Sequence, residues 1–382
     1  MEFSPEHLEY RFRKAESAYL VWLQGLNRYL QLEEPAFWVF KQFREGLSRQ
    51  EMIRDCAHRY QLPETEAERF IGEIEHQFQI LFQNHQKPEV PSVSLDSLPP
   101  RPNSPVERLI AVDDSTIRFS FGDPTIEQFI FPLFSHLEIP SNSGVCDLHL
   151  EVFNHKGNLY LIKNQERASK WVTAHAYKLK GALVLDVINL IHHTTEETWM
   201  GVIHASSVCR GNSAVMFPAQ PGGGKSTLAA LLIAHGCSLV SDDFTPVAME
   251  DQHIYSFPGA ISIKQGSMSL LKSYFPQLEG APQSTKLSNG ENVTYLAPLP
   301  LHIKAGGYPV SAIVFVQYDK QADCELEQVN NLDVINDFLK ESWLADNGRA
   351  AEQFMDWYLE IPCYRLRYGN HEKAFESFQK LF

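Results

Sequence analysis

The 382-residue sequence predicts an α/β fold: a core built on a mixed sheet, preceded by a small domain with its own patterning. Three observations predict it. A short apolar run at 214–217 leads through Ala219-Gln-Pro-Gly-Gly-Gly-Lys225-Ser226-Thr227 into a helix-forming run at 228–234. One crossover later, a second short strand-like run at 238–241 ends in Asp242-Asp243. A proline-rich stretch, 86–106, separates all of this from an N-terminal region of aromatic-rich strands and helices.

Residues 1–20 are charged. Apolar runs at 19–23 and 26–32 then read as two strands around a turn at Gln24-Gly25. From Glu34 the pattern becomes helical. Pro35 suits a first turn, Phe37, Val39, Phe40 and Phe43 share a face, and Gly46 stops the helix. Ser48 with Glu51 three positions on is a capping-box pattern, and Met52, Ile53, Cys56 and Tyr60 supply that second helix's inner face. After Leu62-Pro63, residues 64–82 read as a third helix with Phe70, Ile71, Ile74, Phe78 and Leu81 inward.

A strand pair followed by three helices, with the run at 26–32, Phe37-Trp-Val-Phe40 and a helix start at Gly46-Leu-Ser-Arg-Gln-Glu51, resembles the PqqD-like winged-helix domains. That resemblance implies a recognition domain over 1–85 in which a precursor peptide's leader adds as a strand to a sheet edge. The edge would lie near 30–32, with Phe40, Phe43 and Arg44 on the flanking helix, so the leader is expected on the 26–44 region. For most of these aromatics, helical spacing equally describes ordinary buried packing.

Residues 86–106 are expected to be a semi-rigid linker. From 107 to 165 alternation at 117–121 and 148–153, a turn at 154–158 and a run at 159–162 predict an antiparallel layer. Residues 180–193 predict a helix closed by His192 and His193, read as cations favoured at a helix C-terminus rather than as metal ligands. A core strand at 199–204 ends in His204. Strands are expected at 245–248, 253–257, 261–264 and 310–316, and the polar 276–296 stretch is expected to be a loop over the site. Helices at 331–343 and 349–359, a strand at 364–368 and a helix at 373–382 complete the chain.

The chemistry concentrates at the glycine-rich stretch. Strand, glycine loop, Lys-Ser, helix is the order of a phosphate-binding P-loop. Gly222, Gly223 and Gly224 would let backbone N–H groups approach phosphate oxygens, and Lys225 would reach the β/γ-phosphates. The Ser226 hydroxyl would ligate a magnesium ion, and Thr227 would complete the nucleotide-binding stretch Gly222–Thr227 that cradles the phosphates. Ala219 stands where the first glycine is usual, and Pro221 lies inside the loop. Of Asp242 and Asp243, one carboxylate can hold Mg²⁺ and the other can take a proton from an attacking hydroxyl; alone, such a pair also suits a solvated turn.

Gly201-Val-Ile-His204-Ala, the glycine loop, a helix ending in His235-Gly236, the Asp242-Asp243 pair and Ile261-Ser-Ile-Lys264 together resemble HPr kinase/phosphorylase and related kinases. The likeness covers roughly 105–382 and is strongest over 199–265, within a P-loop core placed at 199–320 of a domain spanning 107–382. It implies an ATP- and Mg²⁺-dependent transfer of the γ-phosphoryl group to a hydroxyl, usually a serine. It favours Asp243 as base, Asp242 with Ser226 as metal ligands (the two aspartates being exchangeable), His204 near the reacting group, and Lys264 neutralising phosphate charge. A solvated lysine and a buried structural histidine are the plain alternatives for Lys264 and His204. The sequence offers no support for the reverse, phosphorylase reaction.

Forty-seven acidic residues against thirty-three basic ones give a net charge of −14, which argues against nucleic-acid and anionic-membrane partners. No apolar run approaches the about 18 residues of a spanning helix, no signal-peptide pattern opens the chain, and the six cysteines lack CxxC spacing. A cytoplasmic setting is expected; no oligomeric state is implied. The leading expectation is a kinase for a Ser/Thr of a ribosomally made precursor peptide. The alternatives are a kinase for a small hydroxyl compound such as free serine, and a nucleotide-gated peptide-binding module without transfer.

Overall fold

The computed structural model describes residues 9–83, 92–140, 144–220, 222–285, 292–298, 303–340 and 342–382. Among them are ten α-helices and several sheets, two of which mix parallel and antiparallel pairs. The chain divides into two units: Met1–Glu89 with Leu344–Glu360, and Val90–Trp343 with Ile361–Phe382. No helix of the described residues is long and apolar enough to cross a membrane.

The first unit is an antiparallel sheet of Tyr10–Ala15, Ala18–Leu23 and Arg28–Glu33, followed by helices Glu34–Arg44, Arg49–Tyr60 and Glu64–Gln83. The second helix starts where its capping box requires: Glu51 N–H donates to Ser48 Oγ at 3.3 Å and Ser48 N–H to the Glu51 carboxylate at 2.9 Å. Strand alternation assigns the sheet's two faces. Val21 and Leu23 join Phe37, Phe40 and Phe78 in one core, whereas Leu20 and Trp22, fully buried, face the other way. That second face is covered by helix Gly348–Glu360, which the chain returns to supply. Phe354 meets the Tyr29 ring edge-on at 4.9 Å, Arg13 chelates Asp356 with one bond at 2.9 Å, and Asn27 donates to the Leu344 carbonyl at 2.8 Å.

Three expectations change here. The N-terminal stretch, charged by composition, holds a strand: its alternating Tyr10, Phe12 and Arg11, Arg13 are strand periodicity, with the arginines paired to Glu352 and Asp356. Helix Gly348–Glu360, expected within the 107–382 domain, packs in the first unit because its apolar face (Ala351, Phe354, Met355, Tyr358) is buried there. Phe40, considered for peptide contact, is core, only 2% exposed.

The second unit opens with a six-stranded sheet ordered Ser92–Val93, Arg167–Val172, Asn158–Lys163, Leu148–His155, Ser115–Phe121, Val106–Val112. The expected linker is therefore shorter than 86–106: Ser92–Val93 is an edge strand and Leu98 packs against the cluster of Phe153, Tyr160 and Ile162, while 84–91 lie outside the described residues. Nor is the layer purely antiparallel. Helix Pro124–Ile130 and the turns after it carry the chain back, so Leu148–His155 runs parallel to Ser115–Phe121. Helix Ala176–Ile191 covers this sheet through Leu183, Val184, Val187 and Ile188.

The second six-stranded sheet is ordered Ser238–Ser241, Ala205–Arg210, Ser213–Pro218, Val310–Tyr318, Cys363–Tyr368, Cys324–Val329. Ala205–Arg210 is antiparallel to both of its neighbours, so the strand entering the glycine loop and the strand entering the aspartates point the same way. Their C-terminal ends reach one edge of the sheet with a strand between them, not side by side as in a simple parallel crossover. Helix Lys225–Ala234 is apolar nearly all round because it is buried on both sides. Leu228, Ala229 and Leu232 pack on the sheet, and Ala230 and Leu231 against Ile261, Ile263 and Leu296 of a three-stranded sheet. Residues 253–257 form no strand; only Ile254 makes isolated bridges, to Val247 and Tyr308. The 276–296 stretch holds two short strands, Gln283–Thr285 and Asn292–Leu296, with 286–291 outside the described residues.

Candidate active site

The glycine loop owes its shape to backbone requirements. Gly222 and Gly224 have φ of +87° and +97°, where a side chain is strained. Gly223 is needed for space: a Cβ there would lie 3.0 Å from the Gln220 and Val316 carbonyl oxygens and from the Ala219 methyl. The bare Gly223 thus makes room for Ala219, the residue that departs from the usual pattern. Pro221 lies outside the described residues. Tyr318 N–H donates to the Gly223 carbonyl at 2.9 Å, and Gln220 is held by Asp337 at 3.0 Å and Lys340 at 2.8 Å. Helix Lys225–Ala234 starts at Gly224, presenting its N-terminal N–H groups and positive dipole end at the loop.

The aspartates sit where two strands change sheets. Trp199–Ile203 pairs with Thr245–Ala248, and directly after it Ala205–Arg210 pairs with Ser238–Ser241. His204 and the Asp242-Asp243 turn occupy the two crossing points and face one another. Ser241 Oγ closes the turn onto the Phe244 carbonyl, and Asp243 adopts a left-handed φ of +66°, uncommon for a residue with a side chain. Consecutive carboxylates are thereby sent in different directions.

Asp242, 2% exposed, turns inward. Its Oδ1 accepts from Ser226 Oγ at 3.0 Å and from Ser206 Oγ, and its Oδ2 accepts from Ser262 N–H at 3.0 Å. Burial, reinforced by the neighbouring Asp243 charge, raises its pKa above the usual carboxylate range. Asp243 forms an ion pair with Lys225, and its Oδ1 lies 3.9 Å from His204 Nε2. Burial alone would raise Asp243 too, but the Lys225 ammonium, followed by His204, outweighs it and holds the carboxyl well below the usual range. His204 Nδ1–H donates to the Asp243 carbonyl at 3.2 Å, which turns Nε2 toward the carboxylate, and Ser342 Oγ accepts from the His204 N–H at 3.3 Å.

Of the predicted residues, His204, Lys225, Ser226, Asp242 and Asp243 are thus directly linked. Lys264 ends the strand whose Ser262 binds Asp242. It lines a cleft of about 530 Å³ together with Gly222, Gln265, Gly266, Ser267, Asn292 and Tyr318. Thr227 Oγ1 bonds Ser267 Oγ at 2.6 Å beside that cleft. His192 is the C-cap of helix Ala176–Ile191, as expected, but it is half-buried, donates from Nε2 to the Ser256 carbonyl at 2.8 Å, and has a pKa lowered by burial, so it is not a cation on the helix dipole. Sequence reasoning missed Ser206, Ser342 and Tyr318, single residues with no spacing signal; Ser262 lies in the Ile261-Ser-Ile-Lys264 stretch, but its contact with Asp242 is made by its backbone N–H, which residue type does not announce. It also missed Lys180, whose ammonium lies over the Phe129 and Tyr295 rings and helps depress Asp243.

Ser226 Oγ and Asp242 offer hard oxygen donors 3.0 Å apart at a helix N-terminus, a donor set that fits magnesium better than a softer metal. Compared with protein-family models and with curated protein sequences, the chain finds no match.

Proposed function

We propose that the second unit is a P-loop kinase core of the HPr-kinase type, acting on a hydroxyl of a peptide held by a PqqD-like first unit. The observation that carries the reading is the convergence, at the N-terminus of one helix, of a left-handed glycine loop, a lysine paired with Asp243, and a second, buried carboxylate, Asp242, bonded to the Ser226 hydroxyl. A site built only for stability would not leave a lysine–aspartate pair at the mouth of an anion cradle.

Without nucleotide, Lys225 neutralises Asp243. When the β- and γ-phosphates of ATP enter the loop, they compete for the Lys225 ammonium. Asp243 loses its strongest stabilising charge and becomes the better proton acceptor. The acceptor hydroxyl then attacks the γ-phosphorus, its proton passes to Asp243, and ADP leaves. His204, anchored through Nδ1 on the Asp243 carbonyl, keeps the carboxylate aimed, and Lys264 adds positive charge where charge builds on the transferring group. Ser226 and Asp242 would hold Mg²⁺, which supplies further charge neutralisation on the phosphate oxygens.

A peptide acceptor is supported by the first unit. Its sheet is covered on both faces, and Arg28–Glu33, one of its two edge strands, is a place where an extended chain can add main-chain hydrogen bonds. A weak grip on a leader raises the effective concentration of a serine or threonine at the site. A cytoplasmic setting suits six free thiols.

The test is mass spectrometry of a precursor peptide encoded beside the gene, incubated with the full chain, ATP and Mg²⁺. A mass gain of one phosphoryl group on a Ser or Thr, lost with Lys225→Ala, is expected. Phosphorylation of free serine but not of peptide would replace the peptide reading, and ATP binding without any phosphorylated product would leave only a gated binding module.

A further inference from the structure

The loop's flank carries aromatic chemistry that phosphate transfer does not use. Tyr318, at the end of strand Val310–Tyr318, is 42% exposed and borders the same cleft as Gly222 and Lys264. Its ring lies parallel to that of His371, with centroids 5.7 Å apart and planes within 2°. Tyr368 meets both rings edge-on at 5.6 Å. The shelf is fixed to the loop: the Tyr318 N–H bonds the Gly223 carbonyl, and a Cβ on Gly224 would lie 3.0 Å from Tyr318 Cβ and 3.1 Å from Tyr368 Oη.

A second observation points to a ligand here. Tyr368 is fully buried, and its hydroxyl, under the last glycine of the loop, has no hydrogen-bond partner among the described residues; the same holds for His371 Nδ1. Buried polar atoms without partners are rare, and two of them, one beneath Gly224 and one on the ring that backs Tyr318, mark this flank of the loop as incomplete. An exposed aromatic ring braced from behind by a second ring is a stacking platform for a flat heteroaromatic.

We infer that Tyr318, backed by His371, is the base-stacking shelf of the nucleotide site and takes the purine ring of the bound nucleoside triphosphate. This rests on the phosphate-cradle reading of the glycine loop and adds to it the part of the ligand that the cradle does not touch. The cradle holds phosphates of any origin; the shelf makes the site prefer a nucleotide over a bare polyphosphate.

Isothermal titration calorimetry on the full chain tests this with ATP and inorganic triphosphate as probes. Alanine at 318 keeps the Cβ and the backbone bond that support the loop and removes only the ring. Tyr318→Ala should therefore weaken ATP about tenfold and leave inorganic triphosphate unchanged. Tyr318→Phe, which keeps the ring, should restore most of the loss. The inference is overturned if Tyr318→Ala leaves ATP affinity intact, if it weakens both probes equally, or if the unmodified chain binds triphosphate as tightly as ATP. If the unmodified chain binds neither probe, the cradle reading fails and the shelf with it.

Discussion

Around the glycine loop, the groups sheltered from water carry charge: Asp242 is 2% exposed, and Asp243 is held by Lys225 and His204. In the first unit the sheltered groups are aromatic, with Phe37, Phe40, Phe78, Trp22 and Phe354 inside, and charge appears at the rim as Arg13–Asp356 and Arg11–Glu352. Buried charge is expensive unless it is paired, so a fold keeps it where chemistry uses it; buried aromatic surface stabilises without such a demand. On the proposed reading, the contrast separates a region organised for reaction from one organised for shape.

Four measurements break or sharpen that contrast. The largest effect is expected at Asp243→Asn, which keeps the side-chain shape and removes the proposed proton acceptor; turnover should fall on the order of a thousandfold. A variant within tenfold of the original rate would show that the buried charge is structural. Next comes Phe354→Ala, which empties a packed position in the first unit and should cost about 3–5 kcal/mol in chemical denaturation of the full chain. A loss below about 1 kcal/mol would mean that the returning helix is incidental to that unit's stability.

The third is a pH effect in the second unit. Burial lowers the pKa of His136 and of His192, whose Nε2–H groups donate to the Pro258 and Ser256 carbonyls at 2.9 and 2.8 Å. A histidine kept neutral in the folded state binds fewer protons than it does unfolded. Stability is therefore full above the unfolded value of about 6.5 and is lost as pH falls from there toward the folded value. The double variant His136→Gln, His192→Gln should flatten the fall in Tm between pH 6.5 and 5, and an unchanged slope would assign it to other groups. The smallest effect is expected at Asp356→Ala, since that ion pair is partly exposed; a loss of about 0.5–1 kcal/mol is anticipated by thermal denaturation. A loss as large as that of Phe354→Ala would dissolve the distinction between aromatic interior and charged rim.

The site was largely legible because its chemistry is contiguous in sequence. Gly222 to Thr227 and Asp242-Asp243 each announce a turn at a strand end, and the short spacing between them allows one helical crossover. What completes the site was not. The Ser206 hydroxyl and the Ser262 backbone N–H bond Asp242 from two different strands; a lone serine in a strand carries no pattern, and a main-chain donor leaves no mark in residue type. The left-handed Asp243 backbone, which aims that carboxylate, leaves no trace in residue type. Most helices of the first unit followed from capping and periodicity, as at Ser48 and Glu51. Its first strand escaped notice because Arg11 and Arg13 read as solvated charges until Glu352 and Asp356, more than 330 positions away, are seen opposite them. Residues 349–359 read as a helix from their pattern, but a helical pattern does not say which unit the helix packs in.

Helix Gly348–Glu360 also sets a timetable. The first 89 residues leave the ribosome long before the segment that shields Leu20, Trp22 and Tyr29, so during synthesis that sheet waits with one greasy side bare while almost the whole of the other unit is made. A nascent chain in that interval is a natural client for a chaperone. For the same reason, the N-terminal region cannot be excised and transplanted as a self-sufficient cassette unless the returning helix travels with it.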